Sequence, residues 1–382
     1  MAPEVRIMAN AREILEKLIG FPSVVGSANA PIVSYIRDYF VALGAHVSEL
    51  PGPEGNRSNL FVSMGPRDRA GIILSGHTDV VPIEGQPWTS PAFALRQGGD
   101  RLYGRGTSDM KGFLAAAMAV AAGVNAEKLR RPLRFEFSYD EEAGCRGVPH
   151  MIEAIPSICA LPASCIVGEP SQMIPILAHK GKAAVKFTVE GTAGHSSRPD
   201  RGLNAIHGLS TLLAKAVAQS DLLKHGQQNE LFLPSYSTLQ VGVIEGGLSL
   251  NVIPQFASFD VEVRAIPGAE PYSLLEPIFK AFPELEKVGL KVKADRLSEY
   301  PGMELPEDSD LATLMTRATG RNPIRAVSYG TEAGLFAKTG IPSIICGPGN
   351  VDRAHKVDEY ILLSELNECC SVLDRVASDL AA

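Results

Sequence analysis

Apolar residues recur at spacings of three and four over residues 9–19 and again over 31–43, which predicts two amphipathic helices near the amino terminus. Gly44 follows the second, where a helix terminator is expected. HVSEL, NLFVSM and GIILSG come next and read as strands. The alanine-rich stretch from Lys111 to about Gly123 is a strong helix former. LRFEFSY alternates apolar and polar positions and predicts a strand running into Asp140-Glu141-Glu142, while ASCIVGEP predicts another ending at Glu169. Strands alternating with helices in this way predict an α/β sheet with helices on both faces.

The texture changes from His179. KAAVKFTVEG alternates with period two, LNAIHGLSTLLAKAVAQ reads as a helix, and STLQVGVIEGG and SFDVEVRAIPG read as strands around a turn-rich GGLSLNVIPQ. PYSLLEPIFKAF predicts a helix and VGLKVKADRLSE a last strand. The order β-α-β-β-α-β is a compact α+β unit able to fold by itself. The α/β texture resumes after Pro301 with the buried strand SIICGP and a helix from Leu363. The expected organisation is therefore a discontinuous larger domain, 1–178 and 299–382, with an inserted domain at 179–298.

A chain of 382 residues is too long for one ordinary core, in keeping with two domains. Its net charge of −7 argues against nucleic acid as a partner, which would demand a basic face. The amino-terminal MAPEVRIMANAREILEKLIGF mixes acids and bases through its apolar stripe and does not resemble a secretory signal. The longest apolar stretch, LAAAMAVAAGV from Leu114, is too short to span a bilayer. The six cysteines form no C-x-x-C pair, so buried free thiols in a reducing cytoplasm are expected.

Candidate chemistry collects where strands end. SGHTDVVP closes the run Gly71–Leu74 with an imidazole and a carboxylate, His77 and Asp79. Asp109, Glu141, Glu142, Glu169 and His355 fall at strand ends or glycine-rich loops as well. Ligands in open α/β sheets bind outside the carboxyl ends of the strands. Taken singly each residue has an ordinary explanation: a polar turn, a helix cap for Asp109, a solvated acid pair for Glu141-Glu142. Together, two imidazoles and several carboxylates without thiolate suit zinc, cobalt or manganese. YGRGTSDMKG places Asp109 where a dinucleotide loop needs its third glycine, and no H-E-x-x-H, G-x-S-x-G or phosphate-loop G-K-[ST] occurs.

SGHTDVVP, LYGRGTSDMKG, SYDEEAGCRG, GEP, GTAGHSSRP and AHKVDEY, in that order, resemble the M20 family of dinuclear zinc hydrolases. WTSPAF, SYGTEAGLF and GPGNVDRAHKVDEY are most similar to its acetylornithine deacetylase branch. The resemblance implies a mixed-sheet catalytic domain with an inserted lid and dimerisation domain. It implies two zinc ions, with cobalt or manganese able to substitute: His77 and Glu169 on the first, Glu142 and His355 on the second, Asp109 bridging both. It further implies a cis peptide after Asp109, Asp79 holding the His77 ring through its other nitrogen, Glu141 as general base and His195 as oxyanion donor. Asn251 and Arg264 match positions that hold a substrate carboxylate, and Glu332 is the candidate partner of a substrate ammonium. The implied activity is hydrolysis of N2-acetyl-L-ornithine in arginine biosynthesis by a cytoplasmic homodimer joined through the inserted domain. A broader N-acyl-amino-acid deacylase, a desuccinylase and a non-catalytic member of the fold are the alternatives.

Overall fold

The computed structural model describes residues 3–381 and divides into two compact units: Met1–Ala178 with Glu304–Arg325 and Thr331–Ala382, and His179–Met303 with Ala326–Gly330. The longer segment of the second unit runs from His179 to Met303, beyond residue 298. The strand Lys291–Tyr300 pairs along its length with Gly181–Glu190, so a boundary at 298 would cut a hydrogen-bonded strand. The amino-terminal helix spans Pro3–Ile19; Met1 and Ala2 lie outside the described residues.

The first unit is built on a six-stranded mixed sheet in the order His46–Pro51, Ser58–Met64, Leu133–Ser138, Ile72–His77, Ser164–Pro170, Ser343–Gly347. The last four strands are mutually parallel, and the first two are joined antiparallel. Period-two alternation assigns the faces. Leu60, Val62, Leu133, Phe135, Phe137, Ile72 and Leu74 enter one core with the helices Ala30–Ala42, Gly112–Ala121 and Leu363–Ala381. The helices Val148–Ile158 and Ala333–Lys338 pack on strands of the same sheet and on each other, and the sheet thus has helices on both faces. All six cysteines are free thiols, five of them buried. Among the described residues no helix is long and apolar enough to cross a membrane.

Where the strands Ser164–Pro170 and Ser343–Gly347 converge, only glycine fits. A Cβ on Gly347 would lie 1.9 Å from the Gly168 carbonyl oxygen, and one on Gly168 would lie 2.0 Å from the Phe113 ring. Gly347→Ala is therefore expected to destabilise the protein by about 3 kcal/mol, because backbone must move rather than a flexible side chain. Urea unfolding checks this.

The second unit is a four-stranded antiparallel sheet in the order Thr238–Gly246, Phe256–Ala265, Gly181–Glu190, Lys291–Tyr300. Phe187 and Phe259 stack at its centre, with the helix Ala205–Leu223 packed against it. Asn204 caps that helix by accepting the His207 N–H. The helix expected over PYSLLEPIFKAF is instead three short pieces: a 3-10 turn at Pro271–Leu275, then Glu276–Phe279 and Phe282–Lys287. Pro277 and Pro283 each stand at the start of a new piece, because proline cannot supply the N–H that would continue the preceding turn.

Candidate metal centre

Four parallel strands end on one edge of the first unit's sheet, and the candidate residues gather there. His77 is the last residue of its strand and is fully buried. The neighbouring strand ends at Ser138, opposite His77. Two residues later Asp140 adopts φ +53, a left-handed conformation that asparagine and aspartate tolerate. Its carboxylate is fixed by an ion pair to Arg57 and by the Gly26 N–H at 2.8 Å. The Glu141 carbonyl then accepts the N–H groups of Gly144 and Cys145, closing a tight turn. That turn lets Glu141 and Glu142 both reach the site, which an extended strand would forbid.

Asp109 holds the centre of the cluster. Its Oδ1 lies 3.1 Å from His77 Nε2 and its Oδ2 lies 3.3 Å from His355 Nε2. Glu169 Oε1 is 3.7 Å from the same His77 nitrogen, and Glu142 lies 3.0 Å from the same His355 nitrogen. The Asp109–Met110 peptide is cis. Donor atoms of His77, Glu141 and Glu169 fall within 4.8 Å of one another, as do those of His77, Asp109 and Glu142.

Asp79 does something other than expected. His77 Nδ1 sits 2.9 Å from the backbone carbonyl of Asp79, whereas the carboxylate is 3.6 Å away, beyond hydrogen-bond reach. The Asp79 carboxylate accepts the backbone N–H groups of Glu141 and Glu142, both at 3.2 Å. It therefore orients the acid pair, and the carbonyl of the same residue orients the imidazole. Glu359, absent from the expected set, is a second such acceptor. Fully buried, it takes the N–H groups of Gly106, Ser108 and Asp109 at 3.0, 2.9 and 3.1 Å.

The electrostatics suit cations. Burial pushes the carboxyls of Glu141 and Glu169 well above the usual carboxylate range, and those of Asp79 and Glu142 above it, with neighbouring acids adding to the shift. Burial also raises Asp109, but its hydrogen bonds to His355 and His77 outweigh that and hold it below the range. The same bonds to Asp109 and Glu142 raise His355 to about 10. So many anions packed together repel one another, and divalent cations would offset that repulsion. The spacing fits as well. Donors about 2.0–2.1 Å from a tetrahedral metal lie about 3.3 Å from each other, in the middle of the 3.0–3.7 Å separations found around His77 and His355. Asp109, with one oxygen toward each imidazole, is placed to be shared by two ions.

Glu332 is placed differently from expectation. It is 1% exposed, and its carboxyl accepts the Ser138 hydroxyl and lies 3.4 Å from Ser75 Oγ, inside the sheet rather than toward a substrate. Ser75 also donates to Glu136, fully buried on the same strand face. Burial pushes Glu332 up to about 7 from the ordinary 4.5. The folded chain then binds a proton that the unfolded chain has released between these values, so stability falls as pH rises across that window. Glu332→Gln removes this loss. Relative to wild type, the metal-free variant is expected to gain on the order of 3 kcal/mol between pH 4.5 and pH 8, as measured by denaturant unfolding at several pH values.

Three expected site residues belong to the second unit. His195 is exposed on a short ribbon whose strand Gly194–His195 pairs with Val252–Ile253. The ribbon brings it beside Asn251, whose carbonyl accepts the Ser196 N–H. The Ser197 N–H points at His195 Nδ1, 3.2 Å away, so the neutral ring carries its proton on Nε2 and can donate from there. Arg264 is ion-paired to Glu262 at 2.7 Å, with the Tyr300 hydroxyl at 3.3 Å.

The profile of peptidase family M20/M25/M40 matches residues 73–379. The chain belongs to that family. As a member it is a metal-dependent hydrolase. It is similar in fold to a tripeptidase from Staphylococcus aureus, at 19% identity and TM-score 0.75 over 98% of each chain. It is also similar to an M20 family metallo-carboxypeptidase from Sulfolobus solfataricus, at 18% identity and TM-score 0.79 over 97% of this chain and 99% of that one. A dinuclear metal-binding peptidase of the family from Bacillus subtilis matches at 15% identity and TM-score 0.66 over 98% of each chain. At these identities the likeness speaks for the fold.

Proposed function

We propose that the chain is a cytoplasmic two-zinc amidohydrolase that deacylates an N-acylated amino acid, with N2-acetyl-L-ornithine as the leading substrate. The observation that carries the reading is Asp109, with one carboxylate oxygen toward His77 and the other toward His355. His77 and Glu169 would hold one ion, Glu142 and His355 the other, with Asp109 shared; cobalt or manganese could replace zinc at these donors. When bound, two divalent ions would lower the pKa of a water and polarise an amide carbonyl.

Glu141 takes the proton of that water and later delivers it to the leaving amine. Burial raises its carboxyl well above the ordinary carboxylate value, toward the range a group needs to serve as base and then acid near neutral pH. His195, with its proton on Nε2, is the donor to the developing oxyanion. Asn251 and the Arg264 fork recognise the substrate carboxylate. Ornithine is favoured by the WTSPAF, SYGTEAGLF and GPGNVDRAHKVDEY stretches. Glu332 is not assigned to the δ-ammonium, since its carboxyl is already engaged by serines.

A homodimer is proposed through the second unit. Its outer strand Thr238–Gly246 exposes Val243 and Ile244, and Leu248 and Leu250 beyond it are almost wholly exposed. The opposite outer strand, KVKADRLSEY, is guarded by charges in the usual way of free edges. Light scattering at micromolar concentration tests this.

The decisive experiment is amine release by the zinc-loaded protein from N-acetylornithine, N-acetylglutamate, N-acetylmethionine, succinyl-diaminopimelate and a glutamyl dipeptide. Preference for N-acetylornithine supports the full reading. Turnover of another compound keeps the chemistry and discards ornithine. Two bound metals with no turnover of any would favour a binding protein.

A further inference from the structure

The chain has one tryptophan, and it stands against a polar network that nothing in the mechanism above uses. The Trp88 indole N–H donates to Gln86 Oε1 at 3.0 Å, and the Arg105 guanidinium lies 5.0 Å from the ring centroid. Arg105, 1% exposed, donates to the same Gln86 oxygen and, at 2.8 Å, to Glu359 Oε2. Glu359 in turn holds the backbone from Gly106 to Asp109. At the other end, Gln86 Nε2 donates at 3.1 Å to the backbone carbonyl of His355, a residue at φ +61. Thr89 ties the same loops together through Asp358.

We propose that Gln86, Arg105 and Glu359 are positioning residues that lock the Asp109 loop to the His355 loop, with Trp88 as the built-in reporter of that lock. The inference rests on the metal-centre reading. Asp109 and His355 come from segments more than two hundred residues apart in sequence, and a metal bound by both needs them in register. Glu359 suits this task because only a carboxylate offers two acceptor atoms. Oε1 takes two backbone N–H groups, and Oε2 takes a third together with Arg105. A glutamine would turn an NH2 group toward N–H donors on one side or the other and leave buried donors without acceptors. Gln86 suits its place because its amide both accepts and donates, joining the guanidinium to the His355 carbonyl.

The test uses the full chain, stripped of metal by chelation and titrated with zinc against a chromophoric chelator while Trp88 emission is followed. Wild type is expected to bind two ions, with a saturable change in emission as they bind. Glu359→Gln is expected to weaken binding of at least one ion by about 10–100-fold, the range for loss of groups that orient metal ligands. Gln86→Ala leaves the Glu359 cradle intact, and so guards against a folding defect. It is expected to weaken binding about tenfold, to abolish the emission change, and to keep the wild-type unfolding temperature of the metal-free protein. Wild-type affinity and emission response in both variants would overturn the lock while leaving the metal centre standing. Failure of the wild-type protein itself to bind zinc would overturn both.

Discussion

Glu141→Gln is expected to lower kcat by about 10³-fold while leaving the bound metal unchanged. The amide keeps the size of the side chain but cannot take a proton from water or return one to the amine. The proposed ligands His77, Asp109, Glu142, Glu169 and His355 remain, so the ions are expected to stay. Glu141 also contributes one of several mutually repelling buried carboxylates, and burial raises it before any neighbour does. Its neutralisation is therefore expected to leave the metal-free protein as stable as wild type or more so above neutral pH. Turnover, atomic emission and thermal unfolding on the same preparation separate these effects. A variant that loses its metal along with its activity would mean that Glu141 is a ligand rather than the base.

Asp109→Asn is expected to be the most damaging single-atom change. The side-chain amide keeps one oxygen donor, but the NH2 group cannot ligate a cation, and one of the two imidazoles loses its carboxylate partner. At least one ion should be lost on dialysis, with activity reduced about 10³-fold or more. The rise in unfolding temperature that metal gives the wild type through mass action should shrink or vanish. The backbone N–H of residue 109 still reaches Glu359, so the loop is not expected to unravel. Retention of two ions and of the metal-induced stabilisation would remove Asp109 from its shared position.

The fold was legible wherever the pattern was local. Apolar runs marked the parallel strands, and acids or histidines at their ends marked the candidate site, because ligands in such sheets bind outside the carboxyl ends of the strands. The helix Val148–Ile158 escaped because Pro149 and Pro156 disguise it, although Val148, Met151 and Ile155 carry the apolar stripe. Glu136 illustrates a different difficulty. Its place in LRFEFSY resembles a solvent-facing position, yet in the middle of a sheet covered on both faces the polar positions of the alternation are buried too. The true partners of Asp79 were out of reach because backbone N–H groups carry no sequence signature. In VDEY, nothing distinguishes Glu359, which is buried among three backbone donors, from Asp358 beside it. Glu332 looked like a loop residue between glycines, and only the packing of Ser75 and Ser138 reveals its place inside the sheet.

The interrupted first unit also has a bearing on how the chain is made. Synthesis from the amino end delivers the second unit, His179–Met303 with Ala326–Gly330, before the first can be completed. Until residues beyond 343 emerge from the ribosome, the strand Ser164–Pro170 has an unpaired apolar edge, and the core lacks Leu366, Val372, Leu373, Val376 and Leu380 of the last helix. The nascent protein thus spends much of its synthesis with one finished unit and one sticky half, the condition in which chaperones hold a chain and aggregation competes with folding. His355 arrives just as late, so on the proposed ligand set the second ion could not be captured before the polypeptide is nearly finished.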